Sequence, residues 1–216
     1  MYINIHTHHL AHPPGNLIEV YNQYPWNVLD IDTNYSIGIH PIFINQSNIE
    51  QDLITIEEHL NQKKCIAIGE IGLDKITTID FETQISVFKK QLLIAEKNQI
   101  PVIIHCVRAY QEILQIRKQM KLTIPFIFHG FNKNQQIAQQ IINQNCFLSF
   151  GKNLLYNPNL QAIFANLSAE YFFLENDDSQ IPIQEIYQKA AEIRNSSIED
   201  IKEKISINFN RVFKIK

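Results

Sequence analysis

The chain has 216 residues, a formal net charge of −3 and a hydrophobic content of 45%. This length and apolar content predict one folded domain, residues 1–216, and exclude a disordered chain. The acidic balance argues against a protein that holds nucleic acid by its overall charge. Three cysteines without CxxC spacing are typical of reduced thiols. With no signal segment and no apolar run of about 20 residues, we expect a cytoplasmic protein without a membrane span or an obligate protein partner.

Short apolar runs alternate with longer amphipathic segments along the chain. Strands are predicted at Tyr2–Asn4, Leu17–Tyr21, Tyr35–Ile39, Cys65–Ile68, Pro101–Ile104, Pro125–Phe128, Cys146–Phe150 and Tyr171–Leu174. Helices are predicted at Asn48–Asn61, Phe81–Asn98, Tyr110–Met120, Lys133–Asn143, Pro158–Leu167 and Ile183–Arg194, with a last helix from Ser197. Repeated strand–helix units imply parallel strands, and seven or eight of them predict an α/β fold, a TIM-like (β/α) barrel. A doubly wound open sheet is the structural alternative.

The segment Ala11–Thr33 interrupts this alternation, because it is rich in Pro, Asn and Tyr and contains no helical pattern of normal length. We therefore expect a distorted or shortened barrel in which the first helix is missing or reduced.

Polar side chains that can bind metals follow most of the predicted strands. They are His6, His8, His40, Glu70, His105, His129 and Asp177. The carboxyl ends of parallel barrel strands share one rim, so these side chains should lie close together. His6 and His8 should point the same way, because side chains alternate along a strand. Four of these histidines together with Glu70 and Asp177 would exceed the needs of one tetrahedral ion and favour two divalent ions about 3.5–4 Å apart.

Each of these residues alone is a weak indication, and the prediction depends on their repetition at strand after strand. Other candidates are weaker still. His9 and His12 are interpreted as exposed residues, His59 as a surface residue of a helix, and Cys106 as a core thiol rather than a nucleophile. The sequence contains no Gly-x-Ser-x-Gly elbow and no glycine-rich phosphate loop.

The order of these motifs resembles the TatD family of metal-dependent hydrolases, within the amidohydrolase-like barrels, over nearly the whole chain. The most specific match is Gly69–Asp74, Gly-Glu-Ile-Gly-Leu-Asp. The other matching segments are His6–His8, Gly38–Pro41, Pro101–His105, His129–Phe131, Leu174–Asp177 and Asn210–Phe213.

The resemblance implies two divalent metal ions, zinc, manganese or magnesium. One ion would be held by His6, His8 and Asp177, and the second by His105 and His129, with Glu70 as the bridging ligand. Asp177 and Glu70 are thereby the predicted catalytic residues, with Asp177 orienting the attacking water and accepting its proton.

Two further residues, His40 and Arg108, are predicted to hold the anionic part of a substrate. Arg108 offers a forked donor that suits phosphate. The alternative interpretation of Arg108 is an exposed residue at the start of a helix.

The sequence also departs from the family pattern. Asn4 stands where the family has an Asp, Asn176 replaces a Thr, and Asn132-Lys133 replaces Ser-Gly. These changes leave the predicted ligands intact and put the choice of substrate in doubt, because the altered loops belong to the rim.

The resemblance implies the first functional hypothesis, a phosphodiesterase acting on DNA (a deoxyribonuclease). Single-stranded ends would reach the site most easily. Phe131, Tyr110 and Tyr156 could stack on bases or could equally be core residues. The alternatives are an amidohydrolase or phosphatase acting on a small phosphorylated or amide substrate, and a non-catalytic barrel that only binds metal.

Overall fold

The computed structural model describes residues 1–10 and 16–213. They form two compact units. The terminal unit comprises Met1–Tyr21 and Phe128–Lys216, and the central unit comprises Asn22–Ile127. The single-domain interpretation stays a prediction.

In the part of the chain that the structure describes, eight strands form one sheet and follow the chain order along it. They are β1 (Tyr2–Thr7), β2 (Leu17–Gln23), β3 (Asn34–Ile37), β4 (Cys65–Asp74), β5 (Val102–Val107), β6 (Phe126–Phe128), β7 (Phe147–Phe150) and β8 (Phe172–Leu174). Each predicted strand is present, including the second. The fourth strand extends to Asp74, six residues beyond its predicted end, because Ile71 to Asp74 continue the parallel pairing with β5.

All of the predicted helices are present, and the structure adds one short helix. They are α1 (Ile49–His59), α2 (Phe81–Asn98), α3 (Tyr110–Gln119), α4 (Gln135–Ile142), α5 (Asn153–Tyr156), α6 (Pro158–Asn166), α7 (Ile183–Arg194) and α8 (Ile198–Phe213). The sequence did not predict α5, because four residues are too few for a periodic pattern. None of the described helices is long and apolar enough to cross a membrane.

The segment before β3 bears out the expectation of a reduced first helix. Residues 8–10 and 16–33 contain β2, turns and bends, and no helix. His12 and the rest of residues 11–15 lie outside the described residues. His9, predicted to be exposed, is exposed.

Buried aromatic and aliphatic side chains form the core of each unit. In the terminal unit, the rings of Phe150, Phe164 and Phe172 pack edge to face with centroids 5.1 and 4.8 Å apart. In the central unit, α2 packs on β4 and buries Phe88 and Leu92. These contacts anchor the strands whose carboxyl ends carry the polar residues.

A parallel bridge joins Thr7, the last residue of β1, to Asp177, just after β8. The backbone N–H of Asp177 donates to the His6 carbonyl (3.1 Å), and the N–H of His8 donates to the Asp177 carbonyl (3.0 Å). The last strand is thus paired with the first. A doubly wound sheet would leave these strands apart, so this alternative is wrong.

Two asparagines that depart from the family pattern bind each other across this seam. The Asn4 side-chain amide donates to Asn176 Oδ1 (2.8 Å) and to Glu19 Oε1 (3.4 Å), and Asn4 Oδ1 accepts from the Asn176 backbone N–H (3.1 Å). Asn4 is completely buried and Glu19 nearly so. An ionised aspartate at position 4 could not donate either hydrogen bond. The two bonds donated by the side-chain amide therefore explain why position 4 is an asparagine.

Gly72 determines how closely β4 approaches β5. It pairs with His105, and its φ of 153° lies in a region that other residues rarely adopt. A Cβ atom at position 72 would lie 1.9 Å from the His105 carbonyl oxygen. The glycine therefore sets the position of His105 on the neighbouring strand.

We predict that Gly72→Ala lowers the free energy of unfolding by more than about 1 kcal/mol, because the strands must separate and the backbone is strained. Urea unfolding followed by circular dichroism measures this. Gly151→Ala is the control, since a Cβ there would meet nothing closer than 3.5 Å. Equal stability of the Gly72→Ala variant and the parent would show that Gly72 is not required for the close approach of β4 and β5.

We also predict that Asn4→Asp lowers the free energy of unfolding by about 1–3 kcal/mol at neutral pH, because it buries a carboxylate beside Glu19 and removes two donated bonds. Adding Glu19→Gln should recover part of the loss, since glutamine can donate to the new aspartate. Asn159→Asp, at an exposed position of α6, serves as the control. A double-mutant cycle without coupling between positions 4 and 19 would show that the two side chains do not interact.

Candidate metal centre

The terminal unit brings together His6, His8 and Asp177, which we name the terminal ligand group. The two imidazole rings lie on the same side of β1, as the strand alternation predicts, with centroids 5.0 Å apart. His6 is completely buried, and His8 is partly exposed. Asp177 takes a left-handed backbone conformation (φ 54°) directly after the bridge to Thr7.

The geometry of this group fits a metal ion. Asp177 Oδ1 lies 3.5 Å from Nε2 of His6 and 3.5 Å from Nε2 of His8. These distances are long for hydrogen bonds. Two ligands bound about 2.1 Å from one tetrahedral ion lie about 3.4 Å apart, close to the observed separations. The residues present therefore match what one divalent ion requires.

His129 lies beside this group, with its ring centroid 4.4 Å from that of His6. Its partner is Glu175, a completely buried residue whose Oε1 lies 3.5 Å from His129 Nδ1. The same oxygen accepts a hydrogen bond of 2.6 Å from the backbone N–H of Gly130. A carboxylate behind a histidine orients the imidazole toward a metal.

The central unit brings together His40, Glu70 and His105, which we name the central ligand group. Glu70 Oε1 lies 2.8 Å from His105 Nδ1 and 3.1 Å from His40 Nε2. The Glu70 backbone is held by Asn22, whose Oδ1 accepts from the Glu70 N–H at 2.7 Å. Glu70 is therefore a buried, oriented carboxylate between two imidazoles.

Asp74 approaches His105 from the other side, with its Oδ2 3.0 Å from His105 Nε2. Burial raises the pKa of Asp74, but the hydrogen bonds from His105 and from the backbone of Ile76 outweigh it, so this pKa lies below its usual range. His105 thus faces a carboxylate at each ring nitrogen. A neutral imidazole has one N–H and cannot donate to both. An imidazolium would donate to both carboxylates, whereas a neutral ring that donates to Asp74 would present Nδ1, beside Glu70, to a cation.

Asp74 and Glu175 are the two site residues that the sequence reasoning missed. Both stand inside segments that it singled out, Gly69–Asp74 and Leu174–Asp177. The available signal was their position, because Asp74 ends β4 and Glu175 directly follows β8. The roles assigned to the six predicted ligands stay predictions.

His40 and Arg108, the predicted substrate-binding residues, occupy different environments. His40 is buried, and its Nδ1 accepts from the Ile42 backbone N–H (3.2 Å), so its Nε2 donates to Glu70. It thus contacts a predicted ligand directly. Arg108 is exposed, just after β5, with φ 57°. Substrate binding by either residue stays a prediction.

Comparison with known sequences connects this site to a family. The sequence model of the family described as TatD related DNase matches residues 26–214, well over half of the chain. An uncharacterised metal-dependent hydrolase of Haemophilus influenzae is 30% identical over 159 residues, which cover 69% of this chain and 60% of that protein. The match therefore spans less than two thirds of that relative. Another, from Methanocaldococcus jannaschii, is 24% identical over 195 residues, which cover 83% of this chain and 75% of that protein.

Among solved structures, the TatD homologue YjjV of Escherichia coli K12 matches with a TM-score of 0.82 at 20% identity, covering 100% of this chain and 98% of YjjV. This likeness confirms the predicted fold, an α/β barrel of the TIM type. Because the family model matches most of its length, this chain belongs to the TatD-related DNase family of metal-dependent hydrolases.

Proposed function

We propose that this chain is a phosphodiesterase that cleaves DNA with two divalent metal ions. One observation carries the proposal: each unit holds a ligand group of three side chains whose ligating atoms lie within 4.8 Å of one another. The description of the family as TatD related DNase supports DNA as the substrate. A mixture of histidine and carboxylate ligands suits zinc or manganese, and magnesium is the third candidate.

The terminal ligand group would hold one ion through His6, His8 and Asp177. The second ion would be held by Glu70 and His105. The bridging role of Glu70 and the ligand role of His129 rest on the family resemblance and belong to the proposal. His40 and Asp74 orient Glu70 and His105 through the hydrogen bonds described above.

Asp177 is the carboxylate best placed to handle the proton of an attacking water. Its side chain is 31% exposed, whereas that of Glu70 is 5% exposed. When bound, divalent ions lower the pKa of water and neutralise charge on a phosphoryl oxygen. Asp177 would orient the water and accept its proton, while Glu70 stays shielded from solvent.

We predict that the metal-loaded parent binds two ions per chain, because it has two ligand groups. His8→Ala and His105→Ala should each lose about one ion, measured by elemental analysis after dialysis. His9→Ala is the matched control, because His9 is exposed and its Nε2 contacts the Asp178 carbonyl, outside both ligand groups. A parent that binds one ion, or a His105→Ala variant that binds two, would contradict the assignment of one ion to each ligand group.

We predict that Asp177→Asn lowers kcat for cleavage of a single-stranded oligodeoxynucleotide by about 10²–10⁴-fold, the usual effect of losing a general base. The matched control is Asp178→Asn, since Asp178 is exposed and pairs with Lys152. Activity is measured with zinc, manganese or magnesium added.

A metal-loaded parent that cleaves no oligonucleotide would exclude the deoxyribonuclease. Phosphomonoesters and cyclic amides tested in parallel distinguish this outcome from a phosphatase or an amidohydrolase on the same site.

A further inference from the structure

Three aromatic side chains cluster just beyond the carboxyl ends of β2 and β3. They are Tyr24, Trp26 and Phe43, which we name the aromatic platform. The rings of Tyr24 and Trp26 are stacked, with centroids 5.1 Å apart and an interplanar angle of 10°. Phe43 meets Tyr24 edge to face at 5.5 Å and Trp26 at 6.1 Å. The three rings therefore form one continuous surface.

The outer rings of the platform face solvent. Trp26 is 45% exposed and Phe43 is 48% exposed. Within residues 1–10 and 16–213, Tyr156 is the one other aromatic side chain classed as exposed. Phe131 and Tyr110, which the sequence offered as stacking residues or core residues, are both buried. Contiguous exposed aromatic surface is common at sites that bind ligands or partner molecules.

The backbone holds the platform in place before any ligand arrives. The Asn27 N–H donates to the Tyr24 carbonyl (3.0 Å) and closes the turn that carries Trp26. The Leu29 N–H donates to Gln23 Oε1 at 2.6 Å. Phe43 ends the short 3-10 helix Pro41–Phe43, whose first turn is capped by the His40 side chain. A rigid aromatic surface loses little entropy on binding.

The platform is continuous with the central ligand group. The ring centroids of Phe43 and His40 lie 5.5 Å apart. His40 in turn contacts Glu70 at 3.1 Å. A planar group stacked on Trp26 or Phe43 would therefore lie next to the residues that are proposed to act on the phosphodiester.

We propose that Trp26 and Phe43 stack on a nucleobase of a single-stranded DNA substrate whose scissile phosphate is bound at the central ligand group. This inference rests on the proposed function and names the feature of the substrate that the site recognises. Stacking accepts any base, because every base has an aromatic face, so the platform contributes affinity with little sequence preference.

Trp26 is the one tryptophan in the chain, so its fluorescence reports directly on the platform. The metal-loaded Asp177→Asn variant is titrated with an oligodeoxynucleotide and with an abasic oligomer of equal length. We expect saturable quenching by the first and none by the second. Binding of both is followed independently by the anisotropy of an end-labelled strand.

Trp26→Ala and Phe43→Ala should each raise KM for the oligonucleotide by about 5- to 100-fold with little change in kcat, the range measured for base–aromatic contacts. Trp26→Phe should restore most of the affinity, because phenylalanine can still stack. Leu93→Ala, an exposed position on α2, is the control and should behave as the parent.

Three outcomes would overturn the inference. The first is cleavage by the Trp26→Ala and Phe43→Ala variants with parental KM, together with unquenched Trp26 in the bound complex. The second is a loss of affinity in Tyr156→Ala that these variants do not show. In both cases the proposed nuclease activity stands. The third is a metal-loaded parent that neither binds nor cleaves any oligonucleotide, which would overturn the nuclease proposal as well.

Discussion

The backbone pairing between the ends of β8 and β1 is the contact on which the terminal ligand group depends. His6 and Asp177 are 171 positions apart in sequence, yet the Asp177 N–H donates to the His6 carbonyl and the Asp177 carbonyl accepts from the His8 N–H, which holds the two segments in register. A parallel bridge fixes both the distance and the direction of the side chains that flank it. Side-chain alternation already places His6 and His8 on the same side of β1. Asp177 can therefore face both imidazole rings.

Buried polar side chains contact three of the predicted ligands. Glu175 contacts His129, Asp74 contacts His105, and Asn22 holds the backbone of Glu70. Burying a polar group costs free energy unless the group is hydrogen-bonded. Each contact therefore fixes the orientation of a predicted ligand and also offsets the cost of burying its partner. The Asn4–Asn176 pair extends the same principle to the seam of β1 and β8. There, an amide provides a donor where an acid would have brought a second negative charge toward Glu19.

The two candidate ligand groups and the aromatic platform rest on different kinds of backbone. The candidate ligands lie within strands or a few residues after them, close to the regular backbone hydrogen bonding of the sheet. The aromatic platform sits on a turn and a short 3-10 helix, which can vary without disturbing the sheet.

The sequence alone determined the order of strands and helices, the reduced first helix and the candidate ligands. Periodicity and the polar residues near strand ends are local properties that can be read from the sequence without a structure. Only the tertiary structure revealed that Asp74 and Glu175 stand behind histidines, that Asn4 meets Asn176, and that His40 contacts Glu70. It also separated the exposed Trp26 and Phe43 from the buried Phe131 and Tyr110. A pattern along one chain reports which face a side chain takes, but not which residue from a distant strand will pack against it.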